Sequence, residues 1–147
     1  MSITVAPVGH SRILSVGTYR PKRVVPNSEI VDRIDSTDEW IVQRTGIESR
    51  RFAGDDESVI SMAKAACEIA LKRAKLTIAD IDTVILSTIS YPFQAPSAAT
   101  ELINELGNPK AAAFDISAAC AGFCYGVAMA SDLVRSGTSR NVLVIGV

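Results

Sequence analysis

This sequence has few aromatic residues, a single histidine and almost no net charge. The shortage of aromatic residues and the balance of charges each exclude a class of partner. Only 5% of the 147 residues are aromatic, which leaves little surface for stacking on the bases of a single-stranded nucleic acid. The net charge is -1, without the basic excess of a protein that binds nucleic acid or a membrane surface. We therefore expect neither nucleic acid nor membrane among the partners.

Long apolar runs and paired cysteines are also missing. No stretch of about 18 consecutive apolar residues occurs, so no membrane-spanning segment is expected. Residues 1–12 lack a basic region followed by an apolar stretch, which argues against a secretory signal. The cysteines, Cys67, Cys120 and Cys124, are odd in number and do not suggest a disulfide framework. Together these features favour a cytoplasmic protein.

Motifs for nucleotides and metals are absent as well. Neither G-x-G-x-x-G nor G-x-x-x-x-G-K-[ST] occurs, which argues against a nicotinamide or nucleoside-triphosphate site. Cys120 and Cys124 are close in sequence but have no histidine near them, so we expect no metal site. The single histidine, His10, lies in a polar N-terminal stretch and is not expected to act as a base.

The residues that are present predict an α/β fold with a mostly parallel sheet flanked by helices. Hydrophobic residues make up 48% of the chain, and its length is typical of one domain or one lobe. Short apolar runs predict strands at about 13–17, 83–89, 111–117 and 141–147. Helical spacing predicts helices at about 55–74, 97–106 and 119–135, so strands and helices alternate.

Capping signals predict two further helices near the N-terminus. Asn27 could cap a helix that extends to about Ile34. The run Ser36-Thr37-Asp38-Glu39 fits a capping box in which Ser36 is the cap. That second helix is expected to end at Gly46, since glycine tolerates the left-handed conformation common after a helix.

Cys120 is the main candidate for chemistry. It lies where a predicted strand turns into a helix rich in alanine and glycine, so the helix macrodipole favours its thiolate. Small neighbours would let a substrate approach the sulfur. The alternative is a buried cysteine that packs as a small hydrophobic residue, which is what we expect of Cys67 and Cys124.

Trp40 and Arg44 are four residues apart on the second predicted helix and share a face. Such a pair could hold an aromatic base between an indole ring and a guanidinium group. The alternative is that Trp40 packs on the core and Arg44 is solvated. Arg50 and Arg51 are interpreted as surface residues.

The segment Asp115–Phe123 closely resembles the active-site segment of β-ketoacyl-acyl-carrier-protein synthase III, the initiating condensing enzyme of type II fatty-acid synthesis. The similarity covers the chain from about residue 13 onwards. Its other stretches are Ser36-Thr37-Asp38-Glu39-Trp40-Ile41, Arg44-Thr45-Gly46-Ile47, Asp80-Ile81-Asp82 and Pro96-Ser97-Ala98-Ala99. The resemblance implies a thiolase-like fold of five αβαβα layers built from two similar halves, with residues 1–147 as the N-terminal lobe and the C-terminal lobe absent from this chain.

The resemblance also implies a reaction. Cys120 would take an acyl group from acyl-CoA as a thioester and then condense it with malonyl-acyl-carrier protein after decarboxylation. The Cys120 N–H would be one donor of the oxyanion hole, and Ser36, Trp40 and Arg44 would bind CoA. Acyl-CoA is a substrate, so no cofactor is expected. A homodimer and a C-terminal half carrying the family's histidine and asparagine are the implied partners.

One position departs from the acetyl-specific members of that family. They place a bulky aromatic residue just before Pro-Ser-Ala, where it lines the acyl pocket across the dimer, whereas this chain has Ala95. The smaller side chain predicts a roomier pocket that accepts longer or branched acyl groups.

Two alternatives remain open from the sequence. The same fold and cysteine would suit hydroxymethylglutaryl-CoA synthase or a polyketide starter synthase, which a requirement for carrier protein would separate from the first hypothesis. A non-catalytic lobe for acyl binding or assembly would tolerate replacement of Cys120 by serine. The apolar run 141–147 at the chain end suggests a part of a larger protein.

Overall fold

A computed structural model describes residues 9–147, which divide into two compact units. The smaller unit is Arg20–Ser58. The larger unit contains residues 9–19 and Val59–Val147. No helix within residues 9–147 is long and apolar enough to cross a membrane.

The smaller unit contains one helix and a two-stranded antiparallel sheet. Strand β1 (Arg23–Pro26) pairs with β2 (Ser49–Phe52), and α1 (Asp38–Thr45) lies between them in sequence. The predicted helix from Asn27 to Ile34 is wrong, because two short 3-10 turns occupy Asn27–Glu29 and Val31–Arg33.

Asn27 explains why that helix does not form as predicted. Its side chain is buried and donates to Asp38 Oδ1 at 2.6 Å and to the Ile47 carbonyl at 2.7 Å. The amide therefore ties the segment to both ends of α1 and provides no cap for its own turn.

The cap of α1 differs from the prediction by one residue. Thr37 is the cap, and its hydroxyl accepts a hydrogen bond from Trp40 N at 3.2 Å. Ser36 Oγ is instead buried and has no hydrogen-bond partner among the described residues. The predicted end is confirmed, since Gly46 follows the helix with φ at +70°.

The larger unit confirms the predicted α/β architecture. Its sheet has the parallel strand order β4-β3-β5, with β3 in the centre. In chain order its elements are α2 (Val59–Ala74), β3 (Thr83–Ser87), α3 (Ala98–Leu106), β4 (Ala112–Ile116), α4 (Gly122–Arg135) and β5 (Val142–Gly146). The alternation of strand and helix gives a sheet covered by helices on both faces.

Alternate residues of β3 face opposite helical layers. Val84 and Leu86 belong to the core formed with α2 and α3. Ile85 lies on the other side, close to Gly126 of α4. All five residues of β3 are buried, as its continuous apolar run predicts for a central strand.

The structure corrects two further predictions, a strand at 13–17 and the start of α2. Residues 13–17 form no strand and lie against α2, where Ser15 Oγ donates to the Ala70 carbonyl at 2.7 Å. Helix α2 begins at Val59, not near residue 55, because Glu57 closes a turn by accepting from Gly54 N at 2.9 Å.

Candidate active site

Cys120 lies on an exposed turn between β4 and α4. The turn is a short 3-10 segment, Ala119–Ala121, and the thiol is free and exposed. Ala119 has φ at +44°, a left-handed conformation that costs a non-glycine residue about 1–3 kcal/mol. A strained residue next to an exposed thiol is typical of a turn that presents a nucleophile.

Gly122 sets the position of that turn. A Cβ atom on Gly122 would lie 1.9 Å from Ser87 Oγ and 3.1 Å from Ser87 Cβ, so the absence of a side chain lets α4 begin this close to the last residue of β3. Because the strands are parallel, the ends of β3 and β4 meet at one edge of the sheet. The Cys120 turn therefore lies at that edge, where α/β sheets commonly bind ligands.

Ala95 lies on the connection that leaves the same edge of the sheet. It is exposed, in the segment between β3 and α3. Within this segment Tyr91 donates a hydrogen bond to Glu101 Oε2, and this bond to the carboxylate raises the pKa of Tyr91 to about 12. The topology thus brings the predicted nucleophile and the predicted acyl-pocket residue to one edge of the larger unit.

The three residues predicted to bind CoA belong to the smaller unit. The Arg44 guanidinium lies over the Trp40 ring, 5.9 Å from its centroid, so the two side chains share a face as predicted. Trp40 is 55% exposed, which excludes the alternative that it packs in a core of this unit. Ser36 precedes the same helix but its hydroxyl is buried.

The sequence also contains two further cysteines and a histidine. Cys67 is buried in the core as predicted, and burial raises the pKa of its thiol to about 12. The interpretation of Cys124 as a core residue is wrong, because its side chain lies on the exposed face of α4. His10 is exposed. Within residues 9–147, no three His, Cys, Asp or Glu side chains are grouped to hold a metal ion.

Sequence reasoning missed the role of Asp115. Its carboxylate accepts hydrogen bonds from the Ala98 and Ala99 N–H groups, each at 2.8 Å. The signal was an acidic residue within an otherwise apolar strand, Ala112–Ile116, where a carboxylate needs hydrogen-bond donors.

Sequence comparisons place these features in a known context. A family model described as 3-oxoacyl-[acyl-carrier-protein] synthase III matches residues 114–147, which include Cys120. The β-ketoacyl-[acyl-carrier-protein] synthase III of Kocuria rhizophila is 54% identical over 141 residues, and the match covers 96% of this chain and 40% of that protein. The chain matches the N-terminal part of synthase III.

Other relatives agree with that assignment. The Mycobacterium tuberculosis synthase III is 52% identical over 134 residues, covering 91% of this chain and 40% of the relative. This chain therefore spans about two fifths of the length of the curated synthase III proteins that it matches.

Solved structures extend the likeness to the fold. The synthase III of Aquifex aeolicus superimposes with a TM-score of 0.86 at 41% identity, covering 91% of this chain and 43% of that one. A priming β-ketosynthase of a polyketide pathway gives a TM-score of 0.86 at 45% identity, with coverage of 95% and 42%. The fold is therefore the thiolase-like α/β fold that the resemblance implied.

Proposed function

We propose that this chain is the nucleophile-bearing lobe of a β-ketoacyl-acyl-carrier-protein synthase III that acts in the cytoplasm. The observation that carries the proposal is the exposed Cys120 on a strained turn at the carboxyl edge of a parallel sheet. The similarity to synthase III proteins over nearly the whole chain supports it.

In the first step the Cys120 thiolate attacks the thioester carbonyl of acyl-CoA. The C–S bond to CoA breaks, CoA leaves as its thiolate, and the acyl group remains on Cys120. The Cys120 N–H belongs to the first N–H groups of a helical turn, which lack partners within the turn, and can stabilise the developing oxyanion.

In the second step malonyl-acyl-carrier protein loses carbon dioxide, and the resulting carbanion attacks the acyl-Cys120 thioester. The products are a β-ketoacyl-carrier protein and the regenerated thiolate. The family's histidine and asparagine for this step belong to the C-terminal half, so condensation needs residues beyond this chain. A homodimer is part of the proposal, since β4 and β5 are the outer strands of the sheet within residues 9–147.

CoA binding is assigned to the exposed pair on α1 and to Ser36. Trp40 offers a π face and Arg44 a planar cation, which together suit an adenine ring. Their present separation of 5.9 Å leaves no room for a base between them, so one side chain must move on binding. The Ser36 hydroxyl would also have to turn outward, because it is now buried.

Intact-mass spectrometry of the full-length gene product with a series of acyl-CoAs tests the proposal. We expect one acyl increment on Cys120 in the wild type and none in Cys120→Ser, while Cys124→Ser should acylate normally. Ala95 predicts faster acylation by longer or branched chains than by acetyl-CoA, and Ala95→Phe should reverse that order. A wild-type protein that takes no acyl group from any acyl-CoA contradicts the proposal.

Trp40 gives a separate measurement of CoA binding. It is the single tryptophan of the sequence, so the indole fluorescence of this chain reports this residue alone. We expect CoA to change that fluorescence, and a CoA titration should show about tenfold weaker binding in Arg44→Ala than in the wild type. An unchanged CoA affinity in Arg44→Ala would remove Arg44 from the proposed site.

A polyketide starter synthase is the second candidate. The match to a priming β-ketosynthase at 45% identity favours it. Both candidates use Cys120 in the same way, so the carrier protein decides between them. Condensation with the carrier protein of fatty-acid synthesis supports the first, and condensation only with a polyketide carrier protein supports the second.

A further inference from the structure

The connection between β3 and α3, residues 88–97, is held at both ends by the strand that leads to Cys120. At its start, Thr88 N donates to the Ile116 carbonyl at 3.3 Å. At its end, the Asp115 carboxylate accepts from Ala98 N and Ala99 N. We call this connection, which contains Ala95, the acyl-pocket loop.

The two bonds to Asp115 are costly to lose. Ala98 and Ala99 are fully buried, so their N–H groups would have no access to water without the carboxylate. They also lie in the first turn of α3, where the helix dipole favours a negative charge. The end of the acyl-pocket loop is therefore fixed to β4 by two charge-assisted hydrogen bonds.

Capping of α3 does not by itself require Asp115. Ser97 is the cap, and its hydroxyl accepts from Thr100 N at 3.2 Å. Asp115 instead reaches across from β4, where it pairs with Leu86 of β3 in the sheet. Its bonds thus join the loop to β4, the strand that leads into the Cys120 turn.

We propose that Asp115 is a positioning residue that fixes the acyl-pocket loop to β4 and so sets the acyl chain-length preference of the pocket that this loop completes across the dimer. This inference rests on the proposed function, because it assumes that Cys120 is acylated and that Ala95 borders the acyl group carried by Cys120 of the partner subunit. Asp115 acts through the loop and does not touch the acyl group. Displacement of the loop would change the room available to each acyl chain.

Asp82 provides a matched control. Its carboxylate also accepts from two successive backbone N–H groups, Arg140 N at 2.7 Å and Asn141 N at 3.0 Å. It precedes β3, so it lies at the opposite edge of the sheet from the Cys120 turn. Asp82→Asn therefore measures the loss of such a carboxylate away from the candidate site.

The experiment measures Cys120 acylation rates for a series of acyl-CoAs in the full-length gene product, together with the melting temperature. We expect Asp115→Asn to change the ratio of the rates for the best and worst chains by about tenfold. Asp82→Asn should lower the melting temperature but leave that ratio as in the wild type. Asp115→Glu keeps the charge on a longer side chain. It should therefore be more stable than Asp115→Asn but should still alter the ratio of acylation rates.

Three results would overturn the inference. The first is an unchanged ratio in folded Asp115→Asn or Asp115→Glu protein. The second is an equal change in Asp82→Asn, which would indicate a general effect of lost stability. The third is failure of both Asp115 variants to fold, which would make the residue a determinant of folding. Absence of acylation in the wild type instead contradicts the proposed function, and this inference falls with it.

Discussion

The three cysteines of this chain occupy environments that give them different chemistry. Cys67 is 1% exposed within the core of the larger unit, whereas Cys120 and Cys124 are exposed. Burial destabilises a thiolate because the charge loses its hydration, which is why the pKa of Cys67 rises to about 12. Only the two exposed thiols are open to substrates or reagents.

The raised pKa of Cys67 predicts a loss of stability in alkaline solution. The unfolded thiol ionises above its ordinary pKa of 9.0, while the folded thiol stays protonated up to about pH 12. The contribution is therefore complete below pH 9 and is lost as the pH rises from 9 to 12, by at most about 1.4 kcal/mol per pH unit. Urea unfolding from pH 7 to pH 11 measures it.

Cys67→Ala should remove this part of the pH dependence, so its stability should approach that of the wild type as the pH rises. Cys124→Ala is the control with an exposed thiol and should keep the wild-type slope. Parallel curves for the wild type and Cys67→Ala would contradict the prediction. Tyr91 should also lower the stability above pH 10, and equally in all three proteins, because its pKa is raised to about 12 as well.

At the scale of the elements, side-chain caps decide where the functional residues lie. Thr37 begins α1, the helix that carries Trp40 and Arg44. Ser97 and Gly107 bound α3, and the φ of Gly107 is +90°. The Thr37 and Ser97 hydroxyls accept from N–H groups that the helix cannot pair internally, so they fix the starts of α1 and α3, whereas the left-handed Gly107 ends α3.

Replacement of the two neighbouring hydroxyl residues before α1 should have opposite consequences. Thr37→Ala removes the acceptor of the Trp40 N–H and should cost about 1 kcal/mol of unfolding free energy. Ser36→Ala should be neutral or stabilising, because its buried hydroxyl has no partner among the described residues. Chemical denaturation measures both, and a larger loss in Ser36→Ala would restore Ser36 as the cap.

At the scale of the whole molecule, the exposed side of α4 is unusually apolar. Tyr125 and Met129, which are four residues apart and share a face of the helix, are 57% and 42% exposed, and the helix carries no charged residue before Asp132. Apolar residues grouped on one surface commonly mark an interface. The synthase III relatives are about two and a half times longer than this chain, so they contain much additional polypeptide.

The 147-residue chain by itself should therefore bind the hydrophobic dye 8-anilinonaphthalene-1-sulfonate. Met129→Glu places a charge within the apolar surface of α4 and should reduce the dye fluorescence without lowering the melting temperature. Ile69→Glu, at an exposed position of α2, is the control and should leave the fluorescence unchanged. Equal dye binding by the wild type and Met129→Glu would show that α4 is not the binding surface.

The sequence alone determined the order of the elements from α2 to β5 and the candidate nucleophile. The apolar run at β3, the Ser97 cap and Gly107 are local signals, because each depends on residues adjacent in the chain. The motif around Cys120 also suggested the family that the comparisons support. Roles of individual site residues remain predictions.

The tertiary structure decided what depends on contacts between distant residues. Asn27 is tied to Asp38 and Ile47, which prevents the predicted helix, and residues 13–17 lie on α2 instead of forming a strand. Asp115 meets Ala98 and Ala99 only because β4 and α3 pack together. Such contacts join residues that are 11 to 55 positions apart in the chain, so local propensity and periodicity carry no record of them.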